Sequence, residues 1–205
     1  LINTRREETI RVGSYASIAV HWLPELIQRF RDRHPDVAVD IQMGSVQEVY
    51  RWVREDKVDM CFASHQEGGN FDWIHLRNDP LLAILPPGYD LRGCSSLPVS
   101  RLEGLDFLMP SLGFHLDIMR TLGDVKPNIQ QTHVNDSVII SMVEHGLGVS
   151  VLSELVLRGR RDNVVAVPLD PPAVRELGIA VRSKKELRPI ARRFITETKE
   201  ILENI

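Results

Sequence analysis

The chain has 205 residues, 43% hydrophobic and 26% charged, which suits one large core or two small ones in a globular protein and excludes a disordered chain. Its 25 Lys and Arg against 28 Asp and Glu leave a net charge of -3, so broad electrostatic binding of nucleic acid by this segment is not expected. No apolar run approaches the roughly 18 residues that a membrane-spanning helix needs.

Leu1, not Met, opens the chain, which predicts a fragment or a processed product, and the charged residues 1–8 read as a linker remnant without a signal-peptide pattern. Ile10 and Val12, the Gly13-Ser14 break, and then Ile18, Trp22, Leu26 and Phe30 mark a change from strand to helical spacing. Pro24 leaves two options: a helix that begins there, or one that begins near Ser17 and kinks. The spacing of Ile18 and Trp22 favours the earlier start. His34-Pro35 ends the helix, and residues 37–42 alternate as a strand. After Met43-Gly44-Ser45, the residues Val46, Val49, Tyr50 and Val53 share a helical face, and residues 58–63 form a third strand.

Strand, turn and helix in repetition predict a parallel α/β sheet with right-handed crossovers. The loops at 14–17, 44–46 and 64–66 then meet at one edge, where open α/β sheets bind ligands. Ser14 and Ser17 either complete a polar cradle at a helix N-terminus, with Tyr15 as a wall, or merely cap the helix. Three loops rich in Ser and Gly at one edge favour a site over three independent caps.

Past Gly68-Gly69 the character shifts. Residues 72–76 and 80–88 read as two strands closed by a turn, and residues 89–104, with little periodicity, as a candidate boundary. A second set of elements follows: a strand at 106–109, a helix at 114–122, a strand at 129–134, and a helix after Asn135-Asp136 that Gly146-Leu147-Gly148 terminates before a strand at 149–152. Residues 164–169 and 177–182 read as strands separated by a Pro171-Pro172 break, and a final helix from about Leu187 is expected to pack on the first layer. The expected organisation is therefore two lobes, residues 9–84 with 177–205 and an inserted 85–176, with crossing segments near 82–85 and 177–182. A cleft between lobes is a preferred place for a small ligand.

The segments IRVGSYASIAVHWLPELIQRFRDRHPDVAVDIQMG, VDMCFAS, DPLLAILPPG, SMVEHGLGVSVLSE and VVAVPL with LGIAVRS resemble the effector-binding domain of LysR-type transcriptional regulators, itself similar to type 2 periplasmic binding proteins. Gly13, Leu23-Pro24, Phe30, Pro35, Gly44, Asp59 and Gly146-Leu147-Gly148 are specific in combination. The resemblance implies an α/β fold of two Rossmann-like subdomains joined by two crossover strands, with a small-molecule effector in the cleft and no cofactor. It also implies a cytoplasmic homodimer, a tetramer in full length, and promoter DNA read by an N-terminal winged helix-turn-helix outside this segment. Carried over residue by residue, the effector contacts are Ser14, Tyr15, Ala16 and Ser17, then Gly44-Ser45 and Ser64-His65 in the first lobe. The second lobe contributes Gly113-Phe114-His115 and Asn135-Asp136. Phe114 would cover an apolar part of the guest, and His65 and His115 would donate hydrogen bonds unless they are surface or structural residues. Asp136 departs from what an anionic guest wants, and would be either a cap or a selector for a cationic or hydroxyl group. A small carboxylate or other polar metabolite is the expected effector.

Enzymatic readings fare worse. The seven histidines, at 21, 34, 65, 75, 115, 133 and 145, never form HxH or HExxH, and no G-x-S-x-G elbow, P-loop or full dinucleotide fingerprint is present. Cys61 in an apolar run and Cys94 in a polar stretch lack the basic or helix-terminal activator that a redox pair would need. The arginines at 158–161 and 182–193 alternate with carboxylates and read as a solvated face. Two functions remain: a sensor domain of a transcriptional regulator, and a solute-binding protein of a transport system.

Overall fold

The computed structural model describes residues 8–110, 115–160 and 163–204. The chain divides into two compact units, one running to Arg77 and resuming at Glu176, the other Asn78–Arg175.

In the first unit, β1 (Glu8–Ser14) lies between β2 (Val37–Met43) and β3 (Met60–Ser64) and is parallel to both, with Ser14 opposite Met43 on one side and Phe62 on the other. Two helices, α1 (Ala16–His21) and α2 (Leu23–Arg33), make the first crossover, and α3 (Val46–Arg54) makes the second. The earlier start favoured by the sequence is found, with α1 beginning at Ala16, and the helix restarts after Trp22 as α2. Pro24 then falls in the first turn of α2, where its missing N–H had no helical partner to lose.

Both faces of this sheet are covered. Phe62 meets Phe194 of α7 (Pro189–Glu203), whose ring stands edge-on to Phe30 of α2 at 5.0 Å, so the last helix packs on the first layer as expected. On the other face α3 comes close because Gly13 has no side chain: a Cβ there would lie 3.3 Å from that of Cys61 and 3.5 Å from Val49 and Trp52. Glu197 of α7 ties back to α2 through His34 Nε2 at 2.8 Å and Arg33 at 3.4 Å.

Two strands are longer than their sequences suggested. β4 (Asp72–Leu85) is continuous where a turn was expected, and β9 (Val165–Val181) runs through the expected Pro171-Pro172 break. The prolines fall outside the pairings of β4 with β8 and of β9 with β5 and β3. Pairing of β4 with β8 (Ser150–Ser153) begins at Leu81, just after Pro80. Pairing of β9 with β5 (Leu97–Pro98) ends at Asp170, and its antiparallel pairing with β3 begins at Leu177. A missing N–H at 171 or 172 therefore removes no bond from either ladder.

The second unit contains β5, the parallel pair β6 (Asp106–Met109) and β7 (Asn128–Gln131), and β8, with α4 (His115–Leu122), α5 (Asp136–Glu144) and the short α6 (Glu154–Leu157). Leu81, Ile84, Phe107, Ile118, Ile140 and Val151 belong to its core. Because Leu81–Leu85 pack there, the division falls at Arg77/Asn78 and not at the expected 84/85. Residues 89–104 are likewise no boundary, since Leu97, Val99 and Leu102 enter the same core.

Asp59 fastens the start of β1 to the loop before α7. Its carboxylate accepts from the Arg11 amide at 2.7 Å, from Arg11 Nη2 at 2.9 Å and from Arg188 Nη2 at 2.9 Å. Burial alone would raise its pKa, but the hydrogen bonds from Arg11 and the two guanidinium charges together hold it below the ordinary value. A depressed carboxylate pKa contributes stability that is present above the unfolded pKa and lost as pH falls through the folded one. Asp59→Asn is therefore expected to destabilise the chain by about 1–3 kcal/mol at pH 7. Urea denaturation as a function of pH should show that difference shrinking as pH falls below about 4.

Candidate functional site

The parallel register delivers the carboxyl ends of β1, β2 and β3 to one edge of the first unit. The Gly44 amide donates to the Ser14 carbonyl at 3.1 Å, which fixes the first two loops side by side. Tyr15 occupies the N-cap position of α1, and its side chain makes no capping bond there. Ser14 is fully buried and donates to the Tyr15 carbonyl at 3.1 Å; Tyr15 and Ser17 are also buried. Ala16 begins the helix.

Ser64 ends β3 on the same sheet face as Ser14, because Ser14 pairs with Phe62 and side chains repeat every second residue. It is 1% exposed, and its Oγ has no hydrogen-bond partner among the described residues. Thr198 Oγ1, on the α7 that packs on this face, is also buried with no partner among the described residues. An unsatisfied buried hydroxyl costs about 1–3 kcal/mol. This edge therefore holds hydrogen-bonding capacity that the fold itself does not use.

The Ser64 carbonyl accepts from Tyr50 Oη at 2.9 Å, and burial pushes the Tyr50 phenol well above its ordinary pKa. His65 follows, exposed, its amide donating to the Glu176 carbonyl at 2.9 Å, its Nδ1 3.8 Å from the Glu176 carboxylate, and its ring 5.0 Å from that of Trp73. A pocket of about 250 Å³ lies beside it, bounded by Tyr50, Phe71, Trp73 and Ala180.

At the second loop the structural role prevails. Ser45 caps α3: its Oγ accepts from the Glu48 amide at 3.3 Å, while the Glu48 carboxylate accepts from the Ser45 amide and hydroxyl, each at 2.8 Å. Those bonds, first from the Ser45 amide and then from its hydroxyl, hold Glu48 below the usual carboxylate range. The start of α3 thus already carries a carboxylate. Gly44 admits Trp52, since a Cβ there would lie 2.6 Å from Trp52 Cη2.

In the second unit, Gly113 and Phe114 lie outside the described residues. His115 begins α4 half-buried, and Asn135 caps α5 by accepting from the Val138 amide at 3.1 Å. Asp136 is the first residue of α5, not its cap. Burial raises the pKa of Asp136 and of Asp117 on α4, against the pull of Arg175 on both.

The sequence reading missed Arg175. It is buried, donating from Nε to Asp79 Oδ2 at 2.8 Å and from Nη2 to Ser153 Oγ at 2.7 Å. The other Asp79 oxygen accepts from the Leu155 amide at 2.9 Å. The signal was present: Arg175, Leu177 and Ile179 share one strand face, as do Asp79, Leu81 and Ala83, so each charge stood on an inward position.

Among the described residues no group of three or more His, Cys, Asp or Glu could hold a metal, and no helix is long and apolar enough to cross a membrane. Cys61 and Cys94 are free thiols, and burial pushes Cys61 up to about 12.

Residues 3–203 match the LysR substrate binding domain. The chain belongs to that family. It is the effector-binding domain of a LysR-type transcriptional regulator, a family of regulators and not of enzymes. It is 28% identical over 199 residues to the HTH-type transcriptional regulator YvbU of Bacillus subtilis, covering 94% of this chain and 67% of that protein. Among solved structures, the CcmR regulatory domain of Synechocystis PCC6803 in complex with 2-PG superposes with a TM-score of 0.84 at 19% identity, covering 97% of this chain and 99% of that one. The effector binding domain of BenM, from Acinetobacter baylyi, with its effector benzoate gives 0.82 at 21%, covering 97% and 93%. The relatives are transcriptional regulators, so the transport alternative is set aside.

Two substitutions separate packing from recognition in this LysR domain. Ser45→Ala should cost about 1 kcal/mol in chemical denaturation through the lost cap, and Gly44→Ala about 1–3 kcal/mol by overpacking Trp52. Losses within the few tenths of a kcal/mol typical of neutral surface changes would contradict these roles.

Proposed function

We propose that this domain senses a small carboxylate or similarly polar metabolite at the loop edge of its first unit, with Ser14, Ser17 and Ser64 supplying the hydroxyls. The observation that carries this reading is the buried Ser64 Oγ with no partner among the described residues, on the same sheet face as Ser14. Rotation of such hydroxyls toward a guest oxygen satisfies both groups at once. The reading is supported by BenM with its effector benzoate, a small carboxylate, and by CcmR in complex with 2-PG. Tyr15 and His65 flank the same edge. Gly44 and Ser45 contribute its shape, and His115, Asn135 and Asp136 carry the second unit's share of recognition.

Promoter DNA is read by a domain outside this chain, which spans about two thirds of the length of YvbU. The domain works as a homodimer in the cytoplasm, within a tetramer of the full-length regulator. Exposed apolar residues support self-association: Val20, Ile41 and Met43 on α1 and the edge strand β2, and Leu116, Met119 and Ile129 on α4 and β7. An effector changes DNA binding only as far as it favours one arrangement of that dimer over another.

A thermal-shift screen against benzoate, shikimate, other small organic acids and amino acids tests the reading. A ligand at a hundred times its dissociation constant adds roughly 2.7 kcal/mol. The expected outcome is a stabilising acid whose effect is lost in Ser14→Ala and Ser64→Ala. Stabilisation that persists undiminished in both variants would overturn it.

A further inference from the structure

The face of the first unit's sheet that α3 covers is floored by small residues. Gly13 lies beside Cys61 there, and the ladder sets Ala180 opposite Cys61 and Gly178 opposite Ala63. The missing side chain at Gly178 admits Trp73, since a Cβ there would lie 2.6 Å from Trp73 Cζ2 and 2.9 Å from Cη2. Gly69 admits Phe71 in the same way, with a Cβ 2.6 Å from Phe71 Cδ2. The Phe71 ring stands 5.1 Å from that of Tyr50, and the Trp73 ring 5.0 Å from that of His65. These two aromatic pairs, with Ala180 of β9, bound the pocket of about 250 Å³, and all of them belong to the first unit.

The chemistry of the lining specifies a guest. Aromatic walls are covered best by another flat ring. Trp73 Nε1 is buried with no partner among the described residues, and it sits on the indole edge that carries Cζ2, the edge resting on β9. A buried N–H in that position calls for an acceptor. The rim is acidic, with Glu67 in the lining and the Glu176 carboxylate 3.8 Å from His65 Nδ1, which disfavours an anion and suits an amide N–H. Arg54 lies over the Phe71 ring at 5.8 Å, outside the lining. We propose that this pocket is a second ligand site, one that takes an uncharged aromatic amide: the ring lies between the two aromatic pairs, the carbonyl oxygen accepts from Trp73 Nε1, and the amide N–H turns to the acidic rim. Ser14 and Ser64 stand on the opposite face of the sheet, so the site does not rest on the acid-sensing reading.

Titration of the isotopically labelled chain with benzamide, followed at its N–H signals, tests the assignment. Trp22, Trp52 and Trp73 each give an indole signal, and Trp73→Phe identifies the last by its loss. Benzamide is expected to move the Trp73 indole and the Gly68 and Gly69 amides with a dissociation constant of about 1 mM or tighter, leaving Trp22 in place. Trp73→Phe, which keeps a ring and removes the donor, should weaken binding about fivefold as read at Gly68 and Gly69. If that variant does not fold, Phe71→Ala decides, with an expected loss of about tenfold. Benzoate, of the same shape but anionic, should not displace benzamide at equal concentration. Pocket signals that benzamide leaves in place, full affinity in a folded variant, or displacement by benzoate would each overturn the proposal. Since benzamide carries no carboxylate, its failure to bind would leave the proposed acid-sensing edge untouched.

Discussion

Because β1 is hydrogen-bonded in parallel to both of its neighbours, the carboxyl ends of three strands reach one edge together, and the chemistry of the first unit follows from that. The Gly44 amide bonded to the Ser14 carbonyl closes the arrangement at its tightest point. Had either neighbour run antiparallel, the serines would stand at opposite ends of the sheet. Gly13 and Gly44 let α3 and Trp52 pack closely enough to hold the register. At that edge sits the buried Ser64 hydroxyl, with no partner among the described residues, which a well-packed interior normally avoids.

The second unit solves a different problem. It keeps a guanidinium in its interior, and stability alone would be served as well by apolar residues of similar volume. The charge is matched by Asp79, and its field also reaches Asp117 and Asp136 on the first turns of α4 and α5. One side chain thus organises β4, β9 and the start of α6, and biases the carboxylates at two further helix starts. Such a set has few arrangements open to it, the property that a sensing domain needs if small displacements are to give discrete responses.

Much of this was legible in the amino-acid sequence where periodicity was clean. The change of spacing after Ser14, the alternation of residues 37–42 and the apolar face of α3 lead directly to the parallel sheet and hence to the edge where its three loops meet. Long strands are harder to read, because Pro80 and Pro171-Pro172 look like breaks although they lie only outside the pairings of β4 with β8 and of β9 with β5 and β3. The Ser45-x-x-Glu48 spacing is itself a capping-box signature, but a serine at a sheet edge also suits a binding loop, so the spacing alone carries both meanings. Asp79 and Arg175 lie on strands and not in loops. Their inward positions in apolar strands mark them as paired, but 96 residues separate them, and only the fold reveals the pairing.

The most direct test is an amide chemical-shift titration of the isotopically labelled chain with the organic acid that stabilises it most. Recognition at the edge of the first unit predicts that the largest shifts fall at Tyr15–Ser17 and Ser64–Gln66. Shifts absent from both loops and centred instead on the Tyr50, Phe71 and Trp73 pocket would contradict it.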